Sequence, residues 1–200
     1  MTSPRRIGVF GGTFDPPHLG HLAVARASRD QLGLDEVRLV VAGDPWQKRD
    51  RELAPAWLRY ELTEMLVAGE AKCTVDDREI RRQGATFSID TIEEMLGEAS
   101  EELSIYLIVG VDAAAGISLW HRANDLAALV TLTIAPRPQC APLTLDPSWR
   151  VEYLQGLDNP CASTDLRASG LNEAFRRQCL PNDVFLRITQ EGLYAVDNGN

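Results

Sequence analysis

Cysteine is scarce in this sequence, and the four present, Cys73, Cys140, Cys161 and Cys179, are scattered along 200 residues. No Cys-x-x-Cys pair occurs, so neither a zinc site nor a dithiol redox motif is signalled. All four are expected to be buried or idle thiols of a reducing cytoplasm. No run approaches the roughly 18 apolar residues of a membrane-spanning helix. The start, Met1 to Arg6, is short and basic and lacks the apolar stretch of a secretion signal. Cytoplasmic location without a membrane partner is the expectation. A basic excess is also missing: 20 Lys and Arg stand against 29 Asp and Glu, a net charge of −9. That excludes a broad electrostatic surface for nucleic acid, although small anions can still be held where a few cations converge. There is no repeat, low-complexity segment or linker. Neither the Walker loop nor the Gly-x-Gly-x-x-Gly dinucleotide fingerprint is present.

What is present is an ordinary globular composition, 44% hydrophobic and 24% charged, long enough to bury a full core without covalent staples. Residues 6–10 read as a short buried strand, and the Gly- and Pro-rich stretch 11–17 as a loop. Residues 21–32 read as a helix stopped at Gly33, and residues 37–42 as a strand of the parallel, buried type. The alternation continues with a helix over 55–68, a weak strand over 73–76 and a helix over 88–96 with Ser88 as candidate N-cap. A strong strand over 104–109, a broken helix over 112–129 and a strand over 130–135 follow. A proline-rich loop then leads to a last strand over 150–154. Such alternation predicts a doubly wound, Rossmann-like α/β fold with a parallel sheet. From Ser163 onward only helical patterns remain. The expected division is a core over residues 1–159 and a small helical subdomain over 160–200. Ligands of such folds sit beyond the carboxyl ends of the strands, so the loops near Gly11, Gly43, Gly110 and Pro136 should line one crevice.

The most informative stretch is Gly11-Gly12-Thr13-Phe14-Asp15-Pro16-Pro17-His18-Leu19-Gly20-His21. Glycines let backbone approach a ligand closely, and exposed amides before a helix can hold phosphate. Thr13 adds a hydroxyl. His18 and His21 are three residues apart and can share one helix face, where imidazoles donate hydrogen bonds to phosphate oxygens. The same two histidines could instead cap the helix, or bind a metal with Asp15 as the one carboxylate nearby; no protein metal site is expected.

This motif resembles the signature of the His-x-Gly-His nucleotidyltransferases, and in its full form that of the bacterial nicotinate-nucleotide adenylyltransferase family. Cys161-Ala162-Ser163-Thr164-Asp165-Leu166-Arg167 stands where the family carries Ile-Ser-Ser-Thr-x-x-Arg. The resemblance implies that Ser163 and Thr164 open a helix whose amides receive ATP phosphates and that Arg167 contacts the β- and γ-phosphates. Gly110-Val111-Asp112 resembles the family's Gly-x-Asp near the nucleotide; Asp112 could equally cap a helix. Thr86-Phe87-Ser88-Ile89-Asp90-Thr91 resembles the family's Thr-Tyr-Thr-x-Asp-Thr segment, which recognises the nicotinate carboxylate largely through backbone amides, so that Thr86, Phe87 and Ser88 are implied mononucleotide contacts. Trp120 resembles the tryptophan that stacks on the pyridine ring, with a plain core role as the alternative. Pro45-Trp46-Gln47-Lys48 resembles a Pro-x-x-Lys motif in which Lys48 meets phosphate and Trp46 neighbours the mononucleotide. Arg137 follows a strand end and is a further phosphate candidate. Arg49 and Arg51 read as charges on a solvated loop.

The activity implied is adenylyl transfer from ATP to nicotinate mononucleotide, giving nicotinate adenine dinucleotide and pyrophosphate, with magnesium carried by the ATP phosphates and water. His18, His21 and Arg167 are the implied catalytic residues. Related transferases acting on nicotinamide mononucleotide, phosphopantetheine or a CTP-linked substrate, and a non-catalytic nucleotide-binding regulator on the same fold, are the alternatives. The oligomeric state is not written in the sequence, and a homodimer is one arrangement open to it.

Overall fold

A computed structural model describes residues 3–45, 52–82, 84–137, 143–158 and 160–194. Six strands form one parallel sheet: β1 (Arg5–Gly12), β2 (Glu36–Val41), β3 (Cys73–Asp76), β4 (Leu103–Gly110), β5 (Val130–Ala135) and β6 (Arg150–Tyr153), in the order β3-β2-β1-β4-β5-β6. The chain builds outward from β1 to β3, then returns to the other edge of β1 with β4. This reversal makes the β1/β4 boundary the topological switch point, where doubly wound sheets open a crevice.

Side chains alternate across the sheet with the two-residue period of a strand. On one face Ile7, Val9, Ile105, Leu107, Val109, Leu132 and Ile134 form one buried core. It is covered by α4 (Ser88–Glu98), α5 (Val111–Ala115), the single turn Ile117–Leu119 and α6 (Ala123–Leu129). On the other face Phe10, Val37, Leu39, Val41 and Ile108 meet α1 (Leu19–Leu32) and α2 (Ala56–Val67). That second core also takes in Leu166 of α7 (Ser163–Ala168), Cys179 of α8 (Glu173–Cys179), and Val184 and Ile188 of α9 (Asn182–Gln190). The C-terminal helices thus bury their apolar residues in the same core as α1 and α2. The apolar character of the inner strands follows from burial on both faces.

The sequence-based element order is observed, with local differences. β1 runs two residues further than expected, through Gly11 and Gly12, because both still pair with β2 opposite Val40 and Val41. Helix α1 begins at Leu19 and ends at Gly33, whose left-handed φ of 58° lets its N–H reach the Arg29 carbonyl. A four-residue helix, α3 (Arg78–Arg81), was not foreseen. Phe87, not Ser88, occupies the N-cap of α4, and no side chain caps it.

The reading of all four cysteines as idle thiols is wrong for two of them. Cys161 and Cys179 form a disulfide across 18 residues, with Cα atoms 5.4 Å apart. Their approach is created by the return of the chain from α7 through α8, which no local spacing announces. Cys73 is a free thiol, and Cys140 lies outside the described residues.

Candidate active site

A cleft of about 610 Å³ opens at the carboxyl ends of β1, β4 and β5, within the range of small-molecule sites. The expected strand ends and loops do converge on it: Gly11 and Gly12 at the end of β1, Ala42 and Pro45 after β2, Gly110 at the end of β4 and Pro136 after β5.

The loop after β1 is held from beneath by buried charges. Arg59 is 1% exposed. Its guanidinium donates to the carbonyls of Ala54 at 2.9 Å and Thr13 at 2.7 Å. Asp15 is wholly buried, and its Oδ1 accepts from the Ala54 N–H at 3.2 Å and from the Tyr194 hydroxyl at 2.6 Å. Burial and the Asp15 carboxylate raise the Tyr194 pKa, so the phenol keeps its proton. Phe14 is buried under Gly12 and does not line the cleft; its role is to support the glycine turn.

His18 stands at the N-cap of α1 and His21 in its first turn, so the capping and ligand-facing readings are compatible. Both rings line the cleft, with centroids 3.7 Å apart. The His18 N–H donates to His21 Nδ1 at 3.2 Å. A nitrogen that accepts cannot carry the proton, so neutral His21 has Nε2–H as its donor. His18 is buried, and among the described residues its Nδ1 has no hydrogen-bond partner. Burial first, and the Arg137 charge second, push its pKa down to about 3. A Cβ on Gly20 would meet His18 Nδ1 at 2.9 Å and the Cys161 carbonyl at 3.0 Å. Only glycine lets α1, His18 and the entry to α7 approach this closely.

The far end of the chain closes the cleft. Ala162, not Ser163 or Thr164, is the N-cap of α7. The Ser163 hydroxyl donates to the Pro16 carbonyl at 2.9 Å. Arg167 donates to the Asp15 carbonyl and, at 3.3 Å, to Thr164 Oγ1, while still lining the cleft. Asp112 is in the first turn of α5 rather than at its N-cap, which is Gly110. It pairs with Arg137 at 2.9 Å across the mouths of β4 and β5.

The opposite wall is aromatic. Phe87 and His121 lie ring on ring, 4.4 Å between centroids and 34° between planes. Trp120 and Ser88 line the same wall, Trp120 also packing on the first core. Thr86 does not face the cleft; its N–H and hydroxyl both donate to the Asp44 carbonyl, at 3.3 and 3.1 Å. Trp46, Lys48, Arg49 and Arg51 lie outside the described residues. Sequence reasoning missed His121, whose one signal is its place beside Trp120. It also missed Glu79, a buried carboxyl in the cleft wall, hidden in a run of alternating charges.

A glycine-rich loop and paired imidazoles at the switch point of a doubly wound sheet define a nucleotide-handling α/β protein. The model of the cytidylyltransferase-like family matches residues 9–169. A curated relative from Chromobacterium violaceum, named "Probable nicotinate-nucleotide adenylyltransferase", is 37% identical over 83% of this chain and 80% of its own length. A relative of the same name from Acidothermus cellulolyticus is 35% identical over 100% of this chain and 99% of its own. The chain belongs to the cytidylyltransferase-like family and, within it, to the branch of the nicotinate-nucleotide adenylyltransferases. The solved Plasmodium falciparum nicotinic acid mononucleotide adenylyltransferase complexed with NaAD matches with a TM-score of 0.77 at 17% identity, covering 95% of this chain and 97% of that one. That likeness is one of fold.

Proposed function

We propose that this chain transfers the adenylyl group of ATP to nicotinate mononucleotide, forming nicotinate adenine dinucleotide and releasing pyrophosphate. The observation that carries the reading is the pairing of two unlike walls in one cleft. His18 and His21 at the start of α1 and Arg167 of α7 belong to elements packed on one face of the sheet, and Phe87 and Trp120 pack on the core of the other face, with His121 against Phe87. The first wall suits phosphates and the second a flat, electron-poor pyridinium ring.

A 5′-phosphate oxygen of the mononucleotide attacks the α-phosphorus of ATP. The new P–O bond forms as the bond to the bridging oxygen breaks, and pyrophosphate departs with that electron pair. The nucleophile is already ionised, so no general base and no covalent enzyme intermediate are needed. The barrier is the approach of two anions, which positioning and preformed donors lower. The Nε2–H of His21 and the neutral His18 imidazole supply donors at the α-phosphate, each worth about 2–4 kcal/mol. Arg167, fixed by Asp15, carries charge for the departing pyrophosphate. Arg137 and the amides of Gly11 and Gly12 complete the phosphate side; Ser163 acts by tying α7 to Pro16 rather than by touching phosphate. Lys48 and Trp46 are assigned to the same substrates by resemblance.

Magnesium is implied by the resemblance. Among the described residues no group of three or more His, Cys, Asp or Glu could hold a metal ion, and the cleft offers donors that meet phosphate oxygens. As the resemblance implies, magnesium is assigned to the triphosphate and water. Among the described residues no helix is long and apolar enough to cross a membrane, and we place the activity in the cytoplasm, where its nucleotide substrates are.

A magnesium-supplemented pyrophosphate-release assay with nicotinate and nicotinamide mononucleotides in parallel tests the reading. Preferential turnover of the acid is expected. Equal rates, preference for the amide, or ATP binding without turnover would refute it.

A further inference from the structure

Glu79 is buried in the wall of the cleft and takes no part in the chemistry above. It is placed there by a close approach. A Cβ on Gly43 would lie 2.2 Å from the Glu79 carbonyl oxygen, so α3 presses against the loop after β2 only because residue 43 has no side chain. From that position the carboxyl ties one end of the 86–91 segment: its Oε1 accepts from the Thr91 hydroxyl at 2.7 Å. The other end is tied by Thr86 to the carbonyl of Asp44, the neighbour of Gly43. Between these two anchors lie Phe87 and Ser88, which face the cleft.

The Thr86 hydroxyl spends its proton on the Asp44 carbonyl. The Thr91 hydroxyl spends its proton on Glu79 Oε1 and accepts from Arg82 Nη1 at 3.1 Å. Burial pushes the Glu79 pKa up and the Asp76 charge adds to the rise, while the Thr91 bond, the Arg82 charge and Thr86 oppose it.

We propose that Glu79 is the positioning residue of the acceptor side of the cleft, holding the 86–91 segment so that Phe87, Ser88 and their backbone amides meet the pyridine ring and its carboxylate. The proposal rests on the acceptor reading given above. Glu79 acts through the segment it ties and does not itself touch the reacting phosphates.

Steady-state kinetics of Glu79→Ala, Glu79→Gln and Thr91→Val against both substrates test it. Glu79→Ala is expected to raise the KM for nicotinate mononucleotide about tenfold or more, with kcat and the KM for ATP within about threefold, the pattern of lost binding on one substrate. Glu79→Gln keeps an acceptor for Thr91, and is expected to restore the acceptor KM to within about threefold of the parent. Thr91→Val is expected to repeat the alanine phenotype in milder form, and it carries the test if Glu79→Ala does not fold. An unmoved acceptor KM in Glu79→Ala or, failing that, in Thr91→Val overturns the proposal. An equal rise in the ATP KM, or a Gln variant as impaired as the Ala variant, does so as well. If the parent protein turns over nicotinate mononucleotide while these outcomes appear, the positioning role alone is lost. If the parent does not use that acceptor, the functional reading fails first and this one with it.

Discussion

The imidazoles of His18 and His21 lie 3.7 Å apart, tilted by 30°, and the His18 N–H donates to the His21 ring. Two cationic rings could not be held this close in a buried site without large cost. The fold keeps His18 neutral, with its pKa pushed down to about 3 by burial and by Arg137. The unfolded chain takes up a proton near pH 6.5, so between about pH 6.5 and about 3 the unfolded state binds more protons than the folded one. Stability from this residue is fully present above pH 6.5 and is lost as pH falls through that window, by up to about 1.4 kcal/mol per pH unit. Urea unfolding of the parent and of His18→Asn between pH 4.5 and 7.5 should show a shallower decline in the variant. Parallel declines would contradict a neutral His18.

Loss of either imidazole should remove a donor from the phosphate side while leaving the sheet intact. His21→Ala is expected to lower kcat by about 10²–10³-fold with an unchanged far-ultraviolet spectrum. Near-normal pyrophosphate release would remove His21 from the chemistry.

Trp120→Ala should raise the KM for the mononucleotide by about threefold to tenfold, the worth of one aromatic stacking contact, and leave the KM for ATP near the parent value. A change confined to ATP would assign this wall to the adenine instead.

The Cys161–Cys179 bridge closes an 18-residue separation, which in the chain-entropy account is worth about 3 kcal/mol. Denaturant unfolding with and without a thiol reductant should differ by an amount of that order. The Cys161→Ala/Cys179→Ala double variant should match the reduced parent and no longer respond to reductant.

Tyr194→Phe removes one hydrogen bond from the buried Asp15 carboxylate and should cost about 1.5–3 kcal/mol of stability. Because Asp15 also receives Arg167, kcat should fall with it. Unchanged stability would show that the phenol adds nothing at this position.

The sheet was legible because its inner strands are buried on both faces, so apolar residues dominate the inner parts of β1, β4 and β5, with loop residues between. The convergence of Gly11, Gly12, His18 and His21 on the cleft was legible because they are neighbours in one motif. The aromatic wall was only partly so. Thr86 was read as a ligand residue, yet its hydroxyl faces Asp44, because a hydroxyl's direction depends on packing that a sequence does not display. Glu79 sits in Asp76-Asp77-Arg78-Glu79, a pattern that reads as a solvated face. Its burial comes from Gly43, 36 positions earlier, through backbone contact alone. The Cys161–Cys179 pair and the Tyr194–Asp15 bond are products of the chain's return, which periodicity does not encode.

The bond from Tyr194 to Asp15 spans 179 positions and has a temporal meaning for a chain made from one end. The glycine loop and the first strands can assemble early in synthesis. Asp15 meets Arg167 and Tyr194 only when the last helices have left the ribosome. Until then the loop is held by Arg59 alone among its buried side-chain partners described above, and the cleft lacks the wall that α7 supplies. A nascent chain short of residues 163–194 would hold a formed sheet around an open cleft.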